Sequence, residues 1–200
     1  MTLAAHALTT VAAVEDVVGD GVFPPARIEQ QIHAVTARFE RYCGRRFAVA
    51  EHTQRLPGTG RWFLCLRHYP ILSVANVEID GQAITDYQMT DEAVQGLLYR
   101  AATWPVRRAR HADLTWDPDS NSDAPNIRVT YQAGYILSGE GRTLPHDLEQ
   151  ACIDLVVHRL LHPVQGLQQE RTPGGHTTVW HEGLPPEIRS VLASYRGGIR

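Results

Sequence analysis

The chain has 200 residues, of which 43% are apolar and 20% charged, and its formal net charge is -3 at pH 7. This composition is typical of a soluble globular protein that is long enough to bury a substantial hydrophobic core. All 19 basic residues are arginine. The absence of lysine excludes a lysine-dependent phosphate loop, and the negative balance argues against a dedicated nucleic-acid binder, whose affinity comes from excess cationic charge.

The first 47 residues predict two helices. The first covers residues 8–18, is capped by Thr9 or Thr10, and ends at Gly19. Its carboxylates, Glu15 and Asp16, and the lack of a basic start argue against a signal peptide or a membrane span. A second helix opens at a proline pair and ends at a glycine, and its apolar residues recur at helical spacing: Ile28, Ile32, Val35, Phe39 and Tyr42.

From residue 48 to residue 135 the apolar pattern changes to that of strands and turns. Pro57-Gly58 is typical of a type II turn and Asp80-Gly81 of a type I′ hairpin turn. Residues 117–125 read as a polar surface loop. The predicted strands cover residues 49–56, 62–66, 74–79, 87–90, 97–100, 111–116 and 127–132.

A long helix over residues 145–162 is the strongest helical signal of the chain. Apolar residues occupy most of its circumference and leave a narrow polar stripe of Gln150, Asp154 and His158. A helix of this kind is covered on nearly all sides, so we expect it at the centre of the helical part. No periodicity follows over residues 164–183, and irregular stretches of that length are usually functional or disordered. Prolines 185 and 186 then open a last helix.

The order of these elements predicts an α+β fold. We expect a helical bundle, in which N-terminal and C-terminal helices surround the central helix, with an inserted antiparallel β layer. The 200 residues are predicted to form a single domain. Its parts are the N-terminal helices (1–47), the β insert (48–135), the central helix (144–162), a flexible loop (163–184), and the C-terminal helix and tail (185–200).

Searches for chemistry-bearing motifs find none that is complete. His158 and His162 have the i, i+4 spacing of a zinc-binding pair, but Arg159 replaces the glutamate that a zincin requires. The loop that begins at Asp117 copies the first calcium ligands of an EF-hand and lacks its glycine and its last glutamate. Three scattered cysteines indicate reduced, intracellular thiols: Cys43, Cys65 and Cys152. We therefore expect no metal, no cofactor and no catalytic residue.

Seven strings, in this order and spacing, resemble the head-tail connector (adaptor) proteins of long-tailed bacteriophages and of phage-derived particles such as gene transfer agents. They are AAVEDVVG in the first helix, ERYCGRRF at 40–47, RHYPILSVANVEIDGQAI at 67–84, WP at 104–105, VTYQAGY at 129–135, LPHDLEQACIDLVVHRL at 144–160 and LPPEIRSVLASYR at 184–196.

The resemblance implies a structural virion protein at the head-tail interface, assembled in the bacterial host cytoplasm. Its copies would be monomeric when free and would form a homo-oligomeric ring, such as a dodecamer, in the particle. The implied partners are the portal protein and a stopper or tail-completion protein, with DNA passing through the ring lumen without specific binding and with no membrane. Two alternatives stay open, a metal-dependent enzyme that uses the histidine-rich C-terminal region and a DNA-binding protein.

We expect the portal or subunit interface at the C-terminal end of the chain. Trp180 in the irregular stretch is typical of an interface anchor, and the arginines suit charge pairing. The competing interpretation is that the last helix is core and that docking uses the loops of the β insert. The predicted interface residues are Arg171, His176, Trp180, His181, Ile188, Arg189, Leu192, Tyr195 and Arg196.

Overall fold

The structure is a computed structural model that describes residues 6–90, 93, 95–106, 125–139, 141–162, 169–171, 177–179 and 184–196. Within these residues the helices are α1 (Val11–Val18), α2 (Pro25–Cys43), α3 (His146–Leu161) and α4 (Pro186–Ser194). The strands are β1 (Ala50–Leu56), β2 (Phe63–Cys65), β3 (Ile71–Ile79), β4 (Gln82–Ala83), β5 (Tyr87–Gln88), β6 (Leu97–Arg100), β7 (Ile127–Ala133), β8 (Gln169–Arg171) and β9 (Thr177–Val179).

The chain divides into two compact units. The helical unit consists of the described residues of Met1–Phe47 and Ile136–Arg196, and the β unit is Ala48–Tyr135. From the sequence we expect one domain, and the contacts of the chain instead give these two bodies, each with its own core.

The prediction of a helical bundle with an inserted β layer is wrong. Two of the four helices in the described part of the chain are short, since α1 has eight residues and α4 nine. The β unit contains two antiparallel sheets rather than a layer over helices, and these sheets enclose a hydrophobic core. The fold is therefore rich in β structure and carries helices. Strand periodicity predicts that a face is buried but not what buries it, and here the second sheet does so.

In the helical unit, α3 packs against α1, α2 and α4. Leu148, Leu155 and Val156 are almost fully buried, whereas the predicted polar stripe of Gln150 and Asp154 is exposed and joined by a 2.9 Å hydrogen bond from the amide to the carboxylate. This distribution confirms that α3 is covered on most sides. Core residues at helical spacing on α2 face the same interior, and Gly44 ends α2 in the left-handed conformation, as predicted.

The last helix, α4, belongs to the core of the helical unit. Ile188 is 7% exposed and Leu192 is fully buried. The Cys43 thiol donates a 3.5 Å hydrogen bond to the Leu192 carbonyl, and the Tyr195 hydroxyl donates one of 2.6 Å to Asp147 Oδ1. These contacts favour the alternative in which α4 is core.

The β unit is built from a four-stranded sheet of order β1-β7-β3-β4 and a three-stranded sheet of order β2-β6-β5, both antiparallel. Val77 and Tyr131 of the first sheet join Leu64 and Leu98 of the second in one buried cluster, together with Trp104. Alternating side chains of β7 are buried, which is the pattern of a strand with one core face and one polar face.

The two predicted turns have different outcomes. Asp80 and Gly81 both have positive φ, 51° and 81°, and β3 pairs with β4 across them, which confirms the type I′ hairpin. The type II turn at Pro57-Gly58 is wrong, because a type II turn requires positive φ at its glycine and Gly58 lies outside that region. A Cβ on Gly58 would lie 1.8 Å from the Pro105 carbonyl oxygen, so this position needs glycine for the close approach of two backbone segments.

Asn126 connects three segments of the β unit, a role that no local sequence pattern indicates. Its Oδ1 accepts a 2.9 Å hydrogen bond from the Gly58 N–H, and its Nδ2 donates one of 3.0 Å to the Pro105 carbonyl. The Asp80 N–H donates to its backbone carbonyl at 2.8 Å. With only 8% of Asn126 exposed, these bonds satisfy a polar side chain that would otherwise be costly to bury.

The stretch predicted to be irregular contains regular backbone at six residues, where β8 pairs with β9 in an antiparallel hairpin. Apolar spacing gives little warning of strands of only three residues. The predicted strand at 111–116 and most of the polar loop at 117–125 lie outside the described residues. Of the described tryptophans, Trp104 is fully buried, whereas Trp62 is 65% exposed.

Candidate functional site

The helical unit has a surface groove of about 780 Å³ between the outer face of α2 and the start of α4. The core-facing residues of α2 leave the opposite face free, and small side chains there, Ala34 and Ala37, make room for a depression. The lining combines this apolar floor with basic walls: Ala34, Ala37, Arg38, Arg41, Tyr42, Leu184 and Arg189.

Five arginines concentrate positive charge at the groove. Three line it, and two others adjoin it. The Arg196 guanidinium lies over the Tyr42 ring at 5.5 Å from its centroid, in cation–π contact. Burial, together with the nearby Arg38 guanidinium, lowers the pKa of Arg159, which places that side chain beside the same cluster. A chain with net charge -3 thus presents one strongly basic surface.

Hydrogen bonds fix the side of the groove that α4 contributes. Arg189 Nη2 donates to the Leu184 carbonyl at 3.2 Å, which holds the guanidinium across the N-terminal end of α4. Tyr195 contacts the Phe47 ring edge-on, with centroids 6.4 Å apart, and bonds to Asp147. The core position of Leu192 anchors α4 below these contacts. The groove is therefore a preformed feature of the fold.

The predicted interface residues are dispersed by the structure. Arg189 lines the groove and Arg196 borders it, whereas Ile188 and Leu192 lie in the core and Tyr195 braces α4. The remaining four are not described as side chains: Arg171, His176, Trp180 and His181.

Within the described ranges, the histidine pair and the cysteines form no complete reactive centre. His158 and His162 are exposed near the end of α3, with ring centroids 5.1 Å apart, and burial, followed by His162 and Arg159, lowers the pKa of His158. No group of three or more potential metal ligands lies within the part of the chain that the structure describes. Burial raises the pKa of Cys43 to about 11 and that of Cys152 to about 12, so both thiols are protonated and unreactive near neutral pH.

Sequence reasoning missed the contribution of α2 to the groove. Apolar spacing places Tyr42 on the buried face of an amphipathic α2 and does not distinguish Arg38 and Arg41 from ordinary surface residues. A usable signal existed, because Ala34 and Ala37 are small residues on the solvent side of α2 and stand among arginines. The approach of Leu184 and Arg189 to this face depends on tertiary packing, which spacing alone does not give.

Among the described helices, none combines the length and the apolar character that crossing a membrane requires.

The fold is similar to that of chains in the necks of gene transfer agent (GTA) particles. A chain from the neck of the native GTA particle, computed with C12 symmetry, superposes with a TM-score of 0.58 at 14% sequence identity. The neck of the empty GTA particle, computed with C6 symmetry, gives the same values. A chain of the native GTA virion matches with a TM-score of 0.56 at 15% identity. Each match covers 100% of this chain and 94% of the other.

No curated protein sequence matches the chain. A family model does so over almost its full length, from residue 8 to residue 197, and its description is head completion protein. This match, together with the fold of the neck chains, confirms the resemblance that the seven sequence strings indicated. The chain belongs to the head completion protein family.

Proposed function

We propose that the chain is a structural protein of the neck of a phage or phage-derived particle. Copies of it form a closed ring at the head-tail interface of the virion. One side of the ring docks on the portal protein, and the other side receives a stopper or tail-completion protein. The ring thereby joins the DNA-filled head to the tail.

The observation that carries this proposal is the family match over residues 8–197. Head completion describes a step in the assembly of a particle, which favours a structural role over catalysis. The fold supports the same role, because the similar chains come from necks reconstructed with twelvefold and sixfold symmetry and the similarity extends over the whole chain.

Each subunit in a ring of more than two copies needs two different contact surfaces. Rotation about the ring axis places one surface of each copy against a different surface of the next copy. The helical unit offers a preformed, strongly basic groove that suits one half of such a contact. We therefore assign subunit contacts to the helical unit.

The negative net charge suits a lumen through which DNA passes without specific binding. Free copies are monomeric in this proposal, and the portal provides the template on which they collect. The role requires neither a cofactor nor a metal.

Deletion of the gene in a producing strain tests the proposal. We expect heads that package DNA and lack tails in electron micrographs, with tailed particles restored when the wild-type chain is supplied from a plasmid. Wild-type chain purified from those particles should be present in a fixed ratio to the portal protein. Normal tailed particles in the deletion strain, or absence of the chain from tailed particles, would refute the proposal.

A further inference from the structure

Two arginines of the basic groove, Arg41 and Arg189, lack an acidic partner among the described residues. Charge repulsion between guanidiniums and the desolvation of Arg159 both oppose such a cluster in an isolated subunit. A binding partner that brings carboxylates would relieve both costs.

The end of α1 has the complementary character. Glu15 and Asp16 lie in its last turn, which contains no basic residue. Carboxylates at this position face the negative end of the helix dipole and therefore destabilise the isolated helix. Their presence is thus unexplained by the stability of α1, and a cation from outside the helix would offset the repulsion.

Apolar exposure coincides with this acidic end. Val17 is 59% exposed and Val22 is 56% exposed, on either side of the exposed Asp20. The segment 15–22, which we call the acidic turn, therefore combines carboxylates with exposed valines. The groove combines arginines with an apolar floor, so the two surfaces match in both charge and hydrophobicity.

The acidic turn and the groove of one chain are separated along α2. The acidic turn precedes the first residue of α2, whereas the groove residues of α2, 34–42, lie roughly 14 to 26 Å further along the helix axis. A short turn directly before α2 does not span that distance. Pairing of the two surfaces within one chain is therefore excluded, and their pairing between chains would be head-to-tail, as a closed ring requires.

We propose that the acidic turn of each copy docks in the arginine groove of the next copy and so forms the subunit interface. This inference rests on the proposed ring and specifies its contact. Carboxylates of the acidic turn meet the guanidiniums of Arg41 and Arg189, while Val17 and Val22 cover the floor at Ala34 and Ala37. Repetition of the contact around the axis closes the ring without leaving either surface exposed.

Charge reversal and its compensation test the contact in assembled particles. Arg41→Glu and Asp16→Arg alter exposed side chains outside the core and should leave the melting temperature nearly unchanged. Each change alone should reduce the number of copies per portal at least about tenfold, because like charges then face each other in the interface. The two changes in one chain should restore the ring. Matched controls on the β unit are Arg55→Glu and Glu51→Arg, which should assemble like the wild type.

The outcomes separate this contact from the ring itself. Full rings of Arg41→Glu protein would overturn the contact and leave the proposed function intact, whereas absence of the wild-type chain from necks would refute the proposed function. If both single variants lose copies per portal and the double variant does not recover them, the acidic turn of a second copy is not what occupies the groove. Salt-sensitive binding of duplex DNA by the wild type, lost in Arg41→Glu protein with rings intact, would assign the groove to DNA instead.

Chemical crosslinking provides a measurement that does not depend on charge reversal. Val17→Cys and Ala37→Cys are introduced together with Cys65→Ser, since Cys43 and Cys152 are buried. A short bifunctional maleimide applied to particles should then give a ladder of covalent oligomers beyond the dimer. Products that stop at the dimer, or none at all, would overturn the head-to-tail contact.

Discussion

The two units of this protein differ in how the chain builds them. The helical unit takes its helices from both ends of the sequence, so α1 and α2 reach their partners α3 and α4 only after the entire β unit has been made. The β unit is one continuous segment whose two sheets enclose a core. A long insertion can therefore be a self-contained body while the segments that flank it depend on each other.

The units also differ in where they place charge and reactive groups. The helical unit contains the arginine groove and two buried thiols. The β unit has an aromatic and aliphatic core, tied together at Asn126 by hydrogen bonds. Changes in one unit should therefore leave the other largely intact.

The largest effect is expected from truncation after Gly183, which removes α4. Loss of Ile188 and Leu192 exposes the α2–α3 core, and at about 2 to 5 kcal/mol for each large aliphatic side chain the helical unit should lose more than about 4 kcal/mol. Denaturant melts followed by circular dichroism should show the helical signal lost first and a strand signal retained. An unchanged melting curve would mean that α4 is peripheral.

One cavity mutation in each unit should act on that unit alone. Leu155→Ala in α3 and Leu98→Ala in β6 each remove a buried side chain and should cost about 2 to 5 kcal/mol. The first should lower only the transition of the helical unit, and the second only that of the β unit, when hydrogen exchange is measured in both. Equal loss of protection in both units after either change would show that they unfold as one body.

Asn126→Ala should have a smaller effect, confined to the β unit. It leaves the Gly58 N–H and the Pro105 carbonyl without their partner, and unsatisfied buried groups cost about 1 to 3 kcal/mol. Asn76→Ala is the control, because the exposed Asn76 side chain bonds to Glu78 at the surface and its loss should cost less than about 0.5 kcal/mol. An equal loss of unfolding free energy in urea melts of the two variants would mean that the hydrogen bonds of Asn126 do not stabilise the β unit.

The smallest effect is a pH dependence of the helical unit. The pKa of Cys43 is raised from its ordinary value of 9.0 to about 11, and that of Cys152 to about 12, both mainly by burial. As pH rises above about 9, the unfolded chain loses these protons first, so the free energy of unfolding falls through the window up to these folded values. Urea midpoints of the helical signal from about pH 8 to about pH 11 should fall less steeply in Cys43→Ala, Cys152→Ala protein. If the urea midpoint falls with pH equally steeply in the wild type and the variant, the buried thiols are not the source of the pH dependence.

Local chemistry in the sequence predicted the elements of both units well. The exposed stripe that includes Asp154 follows from helical spacing, and the type I′ turn follows from Asp80 and Gly81, because these features depend on neighbouring residues alone. Helical spacing also predicts that α3 is covered on most sides, and the burial of Leu155 agrees with this prediction.

The missed features all depend on residues that are distant in sequence. Gly58 is required because the Pro105 carbonyl approaches it, and no local pattern announces that partner. The β layer proved to be a separate unit because Leu64 and Leu98 pack against strands of the other sheet. The groove was missed for the same reason, since Arg41 of α2 and Arg189 of α4 meet only in the folded chain.

A cryo-electron microscopy reconstruction of the neck of the particle that contains this chain would locate the chain and its contacts. We expect a closed ring of this chain directly beneath the portal, with helical units in contact around the ring and the acidic turn of each copy in the groove of the next. A neck built from other proteins, with this chain absent or located elsewhere in the particle, would contradict this expectation.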